Sequence, residues 1–241
     1  MNILLTNDDG IDSLGLKKLE KILSNYGNVY VVAPSQQQSG KACSISTFLG
    51  ITMKKLDNNH LSVDGTPVDC VEVACAMIKK KIDLVVSGCN SGYNLSQDVM
   101  YSGTCGACFQ ASLSNIPSIA FSVKGKEHFD QIDKYAKDVL DYIFDNDILD
   151  SSYFLNVNIP ESSSNGIMLT KIYEPIYESY YEVLVDSEAN KYIINRKVIN
   201  EINYADCDKV AVNNGYISIT PLSQNLFKEN IYKKVKAKIE K

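Results

Sequence analysis

The chain has 241 residues, 45% of them hydrophobic and 22% charged, the make-up of an ordinary globular protein with room for a sizeable core. Its net charge of −5 excludes the broad basic face that general nucleic-acid binding needs, and no apolar run approaches the roughly 18 residues of a spanning helix. A small nucleotide held through a metal ion is compatible with both numbers.

In chain order, Ile3-Leu4-Leu5 is continuously apolar, as in a parallel strand buried on both faces. It runs into Asn7-Asp8-Asp9-Gly10, a polar turn with two adjacent carboxylates. A solvated turn is one reading of that cluster; a hard-cation site at the end of a strand is the other. Leu16, Leu19, Ile22 and Leu23 make a helical stripe that Gly27 closes. Val29 to Ala33 is the second strand, stopped by Pro34, so the first stretch is a βαβ unit. Pro34 to Gly40 is a polar loop containing Gln38-Ser39-Gly40. Residues 43 to 64 read as short strands with turns at Gly50 and Asn58-Asn59.

Thr66-Pro67-Val68-Asp69 is a helix start, with a capping Thr, Pro in the first turn and an acid near the positive end. That helix is expected to reach about Lys80. Asp83 to Gly88 is a further buried strand, opening into the loop Cys89-Asn90-Ser91-Gly92-Tyr93-Asn94. Tyr101-Ser102-Gly103-Thr104 leads into a helix of small residues and offers hydroxyls, free N–H groups and a helix dipole to an anion. Ile119 to Ser122 is a strand, Ile132, Tyr135, Val139 and Ile143 stripe the next helix, and Phe154 to Ile159 is a strand again. This alternation predicts an α/β fold, a Rossmann-like, doubly wound, mostly parallel sheet over residues 1–160. Ile167 to Asn203 reads as a β-hairpin arm that contacts another subunit. Gly215 to Leu222 is a last core strand, and Leu226 to Ile239 a basic amphipathic helix docked on the surface. The expected division is therefore one domain, 1–241, with its core in 1–160 and the arm, final strand and terminal helix in 161–241.

The seven cysteines are odd in number and several lie in apolar runs. With no basic leader and cleavage site at the start, they read as reduced thiols of a cytoplasmic protein. Cys105 and Cys108 have redox spacing but lack a matching context. His60 and His128 read as surface or capping residues.

Three loops thus fall past strand ends, each with oxygen donors beside glycine. Converged, Asp8, Asp9, Ser39 and the side-chain oxygen of Asn90 would hold a Mg²⁺-like ion, leaving room for water and a phosphate oxygen. Asn94, Ser102, Gly103 and Thr104 would bind the rest of the phosphate. The parts suit metal-assisted hydrolysis, with Asp8 and Asp9 as catalytic residues. A phosphate-binding regulator without hydrolysis is the alternative, and two unneutralised carboxylates weigh against it. A dinucleotide dehydrogenase is disfavoured by the absence of Gly-x-Gly-x-x-Gly in the first turn.

The ordered series Asn7-Asp8-Asp9-Gly10, Ala33-Pro34 with Gln38-Ser39-Gly40, Gly65-Thr66-Pro67 with Asp69-Cys70-Val71, Val86 to Gly92 with Asn94, Tyr101-Ser102-Gly103-Thr104 and Gly215 to Leu222 resembles the SurE family of 5′/3′-nucleotidases. The resemblance covers nearly the whole chain and is weak only between Ile172 and Lys197. It implies a phosphohydrolase acting on nucleoside 5′- and 3′-monophosphates, with one divalent cation (Mg²⁺ or Mn²⁺) per subunit on Asp8, Asp9, Ser39 and Asn90. It also implies a cytoplasmic homodimer or homotetramer with exchanged C-terminal elements, no stable nucleic-acid complex and no membrane. The chain departs from the family pattern at Ser96, where Gly is usual, at Cys89 and Cys105, where Ile or Val is usual, and at Gln110-Ala111, often Glu-Gly.

Overall fold

Successive strand side chains point to opposite faces, and β1 divides the core on that rule. The computed structural model describes residues 1–48, 50–184, 191–202 and 204–239. Its elements begin β1 (Asn2–Thr6), α1 (Leu14–Leu23), β2 (Asn28–Pro34), β3 (Thr52–Lys55), β4 (His60–Asp64), α2 (Pro67–Met77), β5 (Leu84–Ser91), α3 (Gly103–Leu113) and β6 (Ser118–Val123). They continue α4 (Asp130–Asp145), β7 (Phe154–Asn158), β8 (Ile167–Leu169), β9 (Glu174–Leu184), β10 (Lys191–Ile202), α5 (Asp208–Asn213), β11 (Ile217–Leu222) and α6 (Glu229–Ile239). Ile3 and Leu5 join the cluster formed with Leu16 and Leu19 of α1 and Ile132 and Val139 of α4. Leu4 joins the opposite one, with Cys70 and Ala74 of α2 and Ala107 and Ala111 of α3.

The main sheet has nine strands in the order β3-β4-β2-β1-β5-β6-β7-β11-β8. From β4 to β7 every neighbouring pair is parallel; β3 and β11 run antiparallel to their inner neighbours. The chain winds outward from β1 to β2 and β4 on one side, then returns to β5 and winds through β6 and β7 on the other. The doubly wound, mostly parallel α/β sheet is as the alternation predicts, and its topological switch point lies between β1 and β5.

Several boundaries differ from expectation for local reasons. Residues 43–48 form no strand, because the start of α2 captures that segment. The Thr66 hydroxyl donates to Ser44 O (2.6 Å), and Asp69 accepts from Ser46 N (2.8 Å) and Ser46 Oγ (2.7 Å). Thr66 and Asp69 also close the expected capping box. Helix α2 ends at Met77, short of Lys80, since Ile78 turns to extended backbone and the chain dips to bury Ile82. The arm is β9 paired antiparallel with β10, a separate two-stranded sheet; residues 185–190 and Asn203 lie outside the described residues. Residues Ile167 to Leu169, expected in that arm, instead add β8 to the main sheet beside β11. The terminal helix α6 forms, but it is not docked: none of its described residues is buried, and Ile239 is 78% exposed.

Candidate active site

Ligands of open α/β sheets bind beyond the carboxyl ends of the strands where the winding reverses. Here those ends belong to β1 and β5, which are paired at Thr6 and Ser87. The next residues of β1 are Asn7, Asp8 and Asp9, and β5 itself runs on through Asn90 and Ser91. Asn7-Asp8-Asp9-Gly10 is more than a solvated turn. Asn7 is fully buried and knits the turn, donating to Gly10 O (3.0 Å) and Ser13 Oγ (2.8 Å) and accepting from Gly10 N (3.2 Å). Asp8 is buried as well, at 3% exposure. The turn is therefore a built element that presents two carboxylates.

Each carboxylate is gripped by a different loop. Asp8 Oδ1 accepts from the Thr104 hydroxyl at 2.6 Å, and its main-chain oxygen accepts from Gln38 N at 2.7 Å. Asp9 accepts from Ser91 N (3.0 Å) and Ser91 Oγ (3.2 Å). Burial pushes the Asp8 carboxyl up from 3.8 to about 6; the Thr104 hydroxyl works against that rise and the neighbouring Asp9 charge adds to it. Among the described residues no salt bridge reaches either aspartate. Lys126 lines the cleft that opens beside Asp9 and forms no ion pair with it.

The neutral donors stand next in sequence to these grips. Ser39 follows Gln38, which holds Asp8. Its own hydroxyl is exposed and accepts from Gln37 Nε2 at 3.0 Å. The other end of this loop is pinned by Ala42 N donating to Tyr101 O at 3.1 Å. Asn90 precedes Ser91, which holds Asp9. Its amide nitrogen donates to Gly92 O (2.8 Å), which leaves Oδ1 as the atom to ligate. Among the described residues no three His, Cys, Asp or Glu side chains form a metal cluster. Two carboxylates, with a hydroxyl and an amide oxygen next in sequence to the groups that bind them, are the oxygen donor types that suit Mg²⁺ or Mn²⁺.

Ser102 caps α3, its hydroxyl accepting from Cys105 N at 3.1 Å. A Cβ on Gly103 would stand 3.0 Å from Asp8 Cβ and 3.3 Å from Asp8 Oδ2, so glycine keeps the space beside the carboxylate open. Asn94 is placed differently. It is buried behind the loop: its amide nitrogen donates to Ser122 Oγ (2.8 Å), and its main-chain oxygen accepts from Asn156 (2.7 Å) and Asn158 (3.0 Å). No described hydrogen bond joins it to the aspartates. Sequence reasoning missed Ser91 and the Gln38 N–H as the clamps on Asp9 and Asp8. Ser91 lies within the loop Cys89 to Asn94, but which carboxylate it faces depends on the strand order.

Residues 3–181 match the family model described as Survival protein SurE. A 5′-nucleotidase SurE of Clostridium botulinum (strain 657 / Type Ba4) is 37% identical, the match covering 96% of each chain. One from Pseudothermotoga lettingae is 35% identical over 95% of this chain and 91% of its own. The crystal structure of the SurE protein from Aquifex aeolicus covers all of both chains with a TM-score of 0.86 at 35% identity. These likenesses run through the same residues that build the switch-point rim, and the chain belongs to the SurE family.

Proposed function

We propose that this chain is a metal-dependent 5′-nucleotidase, a phosphomonoesterase that releases phosphate from nucleoside 5′-monophosphates and also from 3′-monophosphates. The observation that carries the reading is the pair Asp8 and Asp9, one buried and one half-buried, clamped at the switch point with no described basic side chain paired to either. Such a pair is stable beside a cation and hostile to a phosphate without one. Asp8, Asp9, Ser39 and Asn90 would hold one Mg²⁺ or Mn²⁺ per subunit. Bound there, the ion would supply Lewis acidity to a phosphoryl oxygen and acidify a water molecule.

The chain's own groups do the rest. The Gly103 and Thr104 N–H groups of the first turn of α3, with the Ser102 hydroxyl, receive the phosphate; an eleven-residue helix points its positive end there. Asn94 supports this pocket by fixing the loop after β5. One of the two aspartates orients or deprotonates the attacking water. Thr104 bridges the two halves, since its hydroxyl binds Asp8 while its backbone belongs to the phosphate turn. The protein works as a homodimer or homotetramer in the cytoplasm, without nucleic acid or membrane. The separate β9-β10 sheet and the wholly exposed α6 support an assembly, and among the described residues no helix is long and apolar enough to cross a membrane.

The deciding experiment is phosphate release from AMP by purified protein with Mn²⁺, then with EDTA. Metal-dependent release is expected. Binding of AMP without release in any divalent metal would overturn the reading in favour of a phosphate-binding regulator.

A further inference from the structure

Phosphate-ester hydrolysis at this rim leaves one atom unserved. The first turn of α3 receives the phosphoryl oxygens and an aspartate attends the water, but the ribose oxygen that departs has no donor among those groups. Asp8 faces α3 through Thr104, whereas Asp9 faces a cleft of about 390 Å³ at the start of α1. That cleft meets the aspartate site twice. Asp9 is in its wall, and so is Gln37, whose side chain donates to Ser39 Oγ at 3.0 Å. The charged residues of the wall are Asp9, Asp12 and Lys126. The charges beside Lys126 are spent on one another: Lys124 pairs with Glu161 at 2.5 Å, and His128 stands 3.6 Å from the same carboxylate. Among the described residues Lys126 has no ion pair, and its side chain is exposed. Its backbone is nevertheless fixed. Lys126 O accepts from Phe129 N at 3.3 Å, and the buried Phe129 ring packs so closely on α1 that a Cβ on Gly15 would lie 3.1 Å from it.

We propose that Lys126 is a further catalytic residue, the acid that serves the leaving ribose oxygen. The proposal rests on the nucleotidase reading and adds the proton donor that this reading lacks. The nucleoside is the bulky half of the scissile ester and needs the open side of the site; the attacking water does not. As the water oxygen bonds to phosphorus, the P–O bond to the ribose breaks and its electron pair stays on the ribose oxygen. The Lys126 ammonium gives that oxygen a proton, and the nucleoside leaves as an alcohol. The proton lost by the water passes to an aspartate and on to solvent, and solvent returns one to the lysine. The charges on the cleft wall single out this residue. Two of them are carboxylates, which oppose a developing alkoxide, and Lys126 is the group that favours it. Proton transfer by a positioned side chain contributes roughly 10²–10⁴-fold in rate.

The test uses leaving groups of different basicity in the full-length Mn²⁺-loaded protein. AMP must expel an alkoxide, which needs a proton; p-nitrophenyl phosphate expels a stable phenolate, which does not. Lys126→Met is expected to lower the ratio of kcat for AMP to kcat for p-nitrophenyl phosphate about 100-fold. Across a series of substituted phenyl phosphates, the rate of the variant should fall more steeply with leaving-group basicity than that of the parent. An unchanged ratio overturns the proposal, whether both rates fall together or neither falls. So does a loss that excess Mn²⁺ reverses, which would put Lys126 to work on the metal site rather than on the substrate. Failure of the parent protein to release phosphate from AMP would strike the nucleotidase reading itself, a result separable from the others because it needs no variant.

Discussion

Asp8→Asn should inactivate the protein and, without metal, make it more stable. Below pH 3.8 the side chain is protonated in both folded and unfolded chains; above about 6 the folded protein holds a buried carboxylate that the unfolded chain would hydrate. A group whose pKa is raised by folding contributes stability at low pH that is lost as pH rises through the folded value. Moving a carboxyl from 3.8 to about 6 corresponds to about 3 kcal/mol at pH 7.5. Asparagine keeps the shape and lets the Thr104 hydroxyl go on donating to Oδ1, so most of that cost should disappear. For a chain of this size, about 3 kcal/mol is a rise of roughly 6–10 °C in Tm. The assay is thermal denaturation in EDTA at pH 7.5 and again at pH 5. The variant should melt higher at pH 7.5, and the gap should narrow at pH 5. Mn²⁺ at 100 times its Kd should raise the parent by about 2.7 kcal/mol and leave the variant unmoved. A variant that melts at or below the parent in EDTA at pH 7.5, or a gap indifferent to pH, would refute the electrostatic account of the site.

Three more outcomes follow from single contacts. Gly106→Ala would place a Cβ 2.1 Å from Ala42 O, so the loop carrying Ser39 must move by about 1 Å; activity should fall on the order of 100-fold and the Mn²⁺ needed for half-activation should rise, with circular dichroism unchanged. Ser96, at φ 61°, carries left-handed strain of about 1 kcal/mol, yet its hydroxyl donates to Tyr173 O at 2.8 Å, a bond worth about as much; Ser96→Gly should therefore shift stability by less than about 1 kcal/mol in denaturant melts. His60 lies between Asp57 and Glu20; burial disfavours its charge, but the two carboxylates outweigh that and hold its pKa above the usual 6.5. Its contribution is complete below 6.5 and fades as pH rises through the folded value, so His60→Gln should flatten the pH dependence of Tm between about pH 6 and 8.

What the sequence made legible is what short-range chemistry decides. The run Ile3-Leu4-Leu5 had to be a doubly buried strand, and Thr66-Pro67-Val68-Asp69 had to start a helix, because both patterns are satisfied within a few residues. The stretch 43–48 failed for the opposite reason. Its β-like residues were overruled by Thr66 and Asp69, which hold Ser44 and Ser46 from 22 and 23 residues away. Helix α6 was read correctly as amphipathic, but periodicity states only that a face is apolar, not which surface covers it. Strand β8 is three residues long and is defined by pairing with β11, some fifty positions later.

The site divides along the same line. Asp8 and Asp9 are visible because two carboxylates in one turn need an explanation wherever the chain goes. Ser39 and Asn90 are visible only as polar residues past strand ends. Their place at the rim comes from the neighbours that bind the aspartates, Gln38 and Ser91, across 30 and 82 positions. Asp208 extends the argument. It is fully buried and accepts from Ser96 N (2.8 Å) and Tyr173 N (3.0 Å), joining the root of the arm to the 3₁₀ helix that ends in Tyr101. A charge buried at zero exposure and bonded across 112 positions cannot be inferred from its local sequence, Cys207-Asp208-Lys209. It is nevertheless what ties the root of the arm to the 3₁₀ helix, so that junction is the part of the fold least readable from the chain.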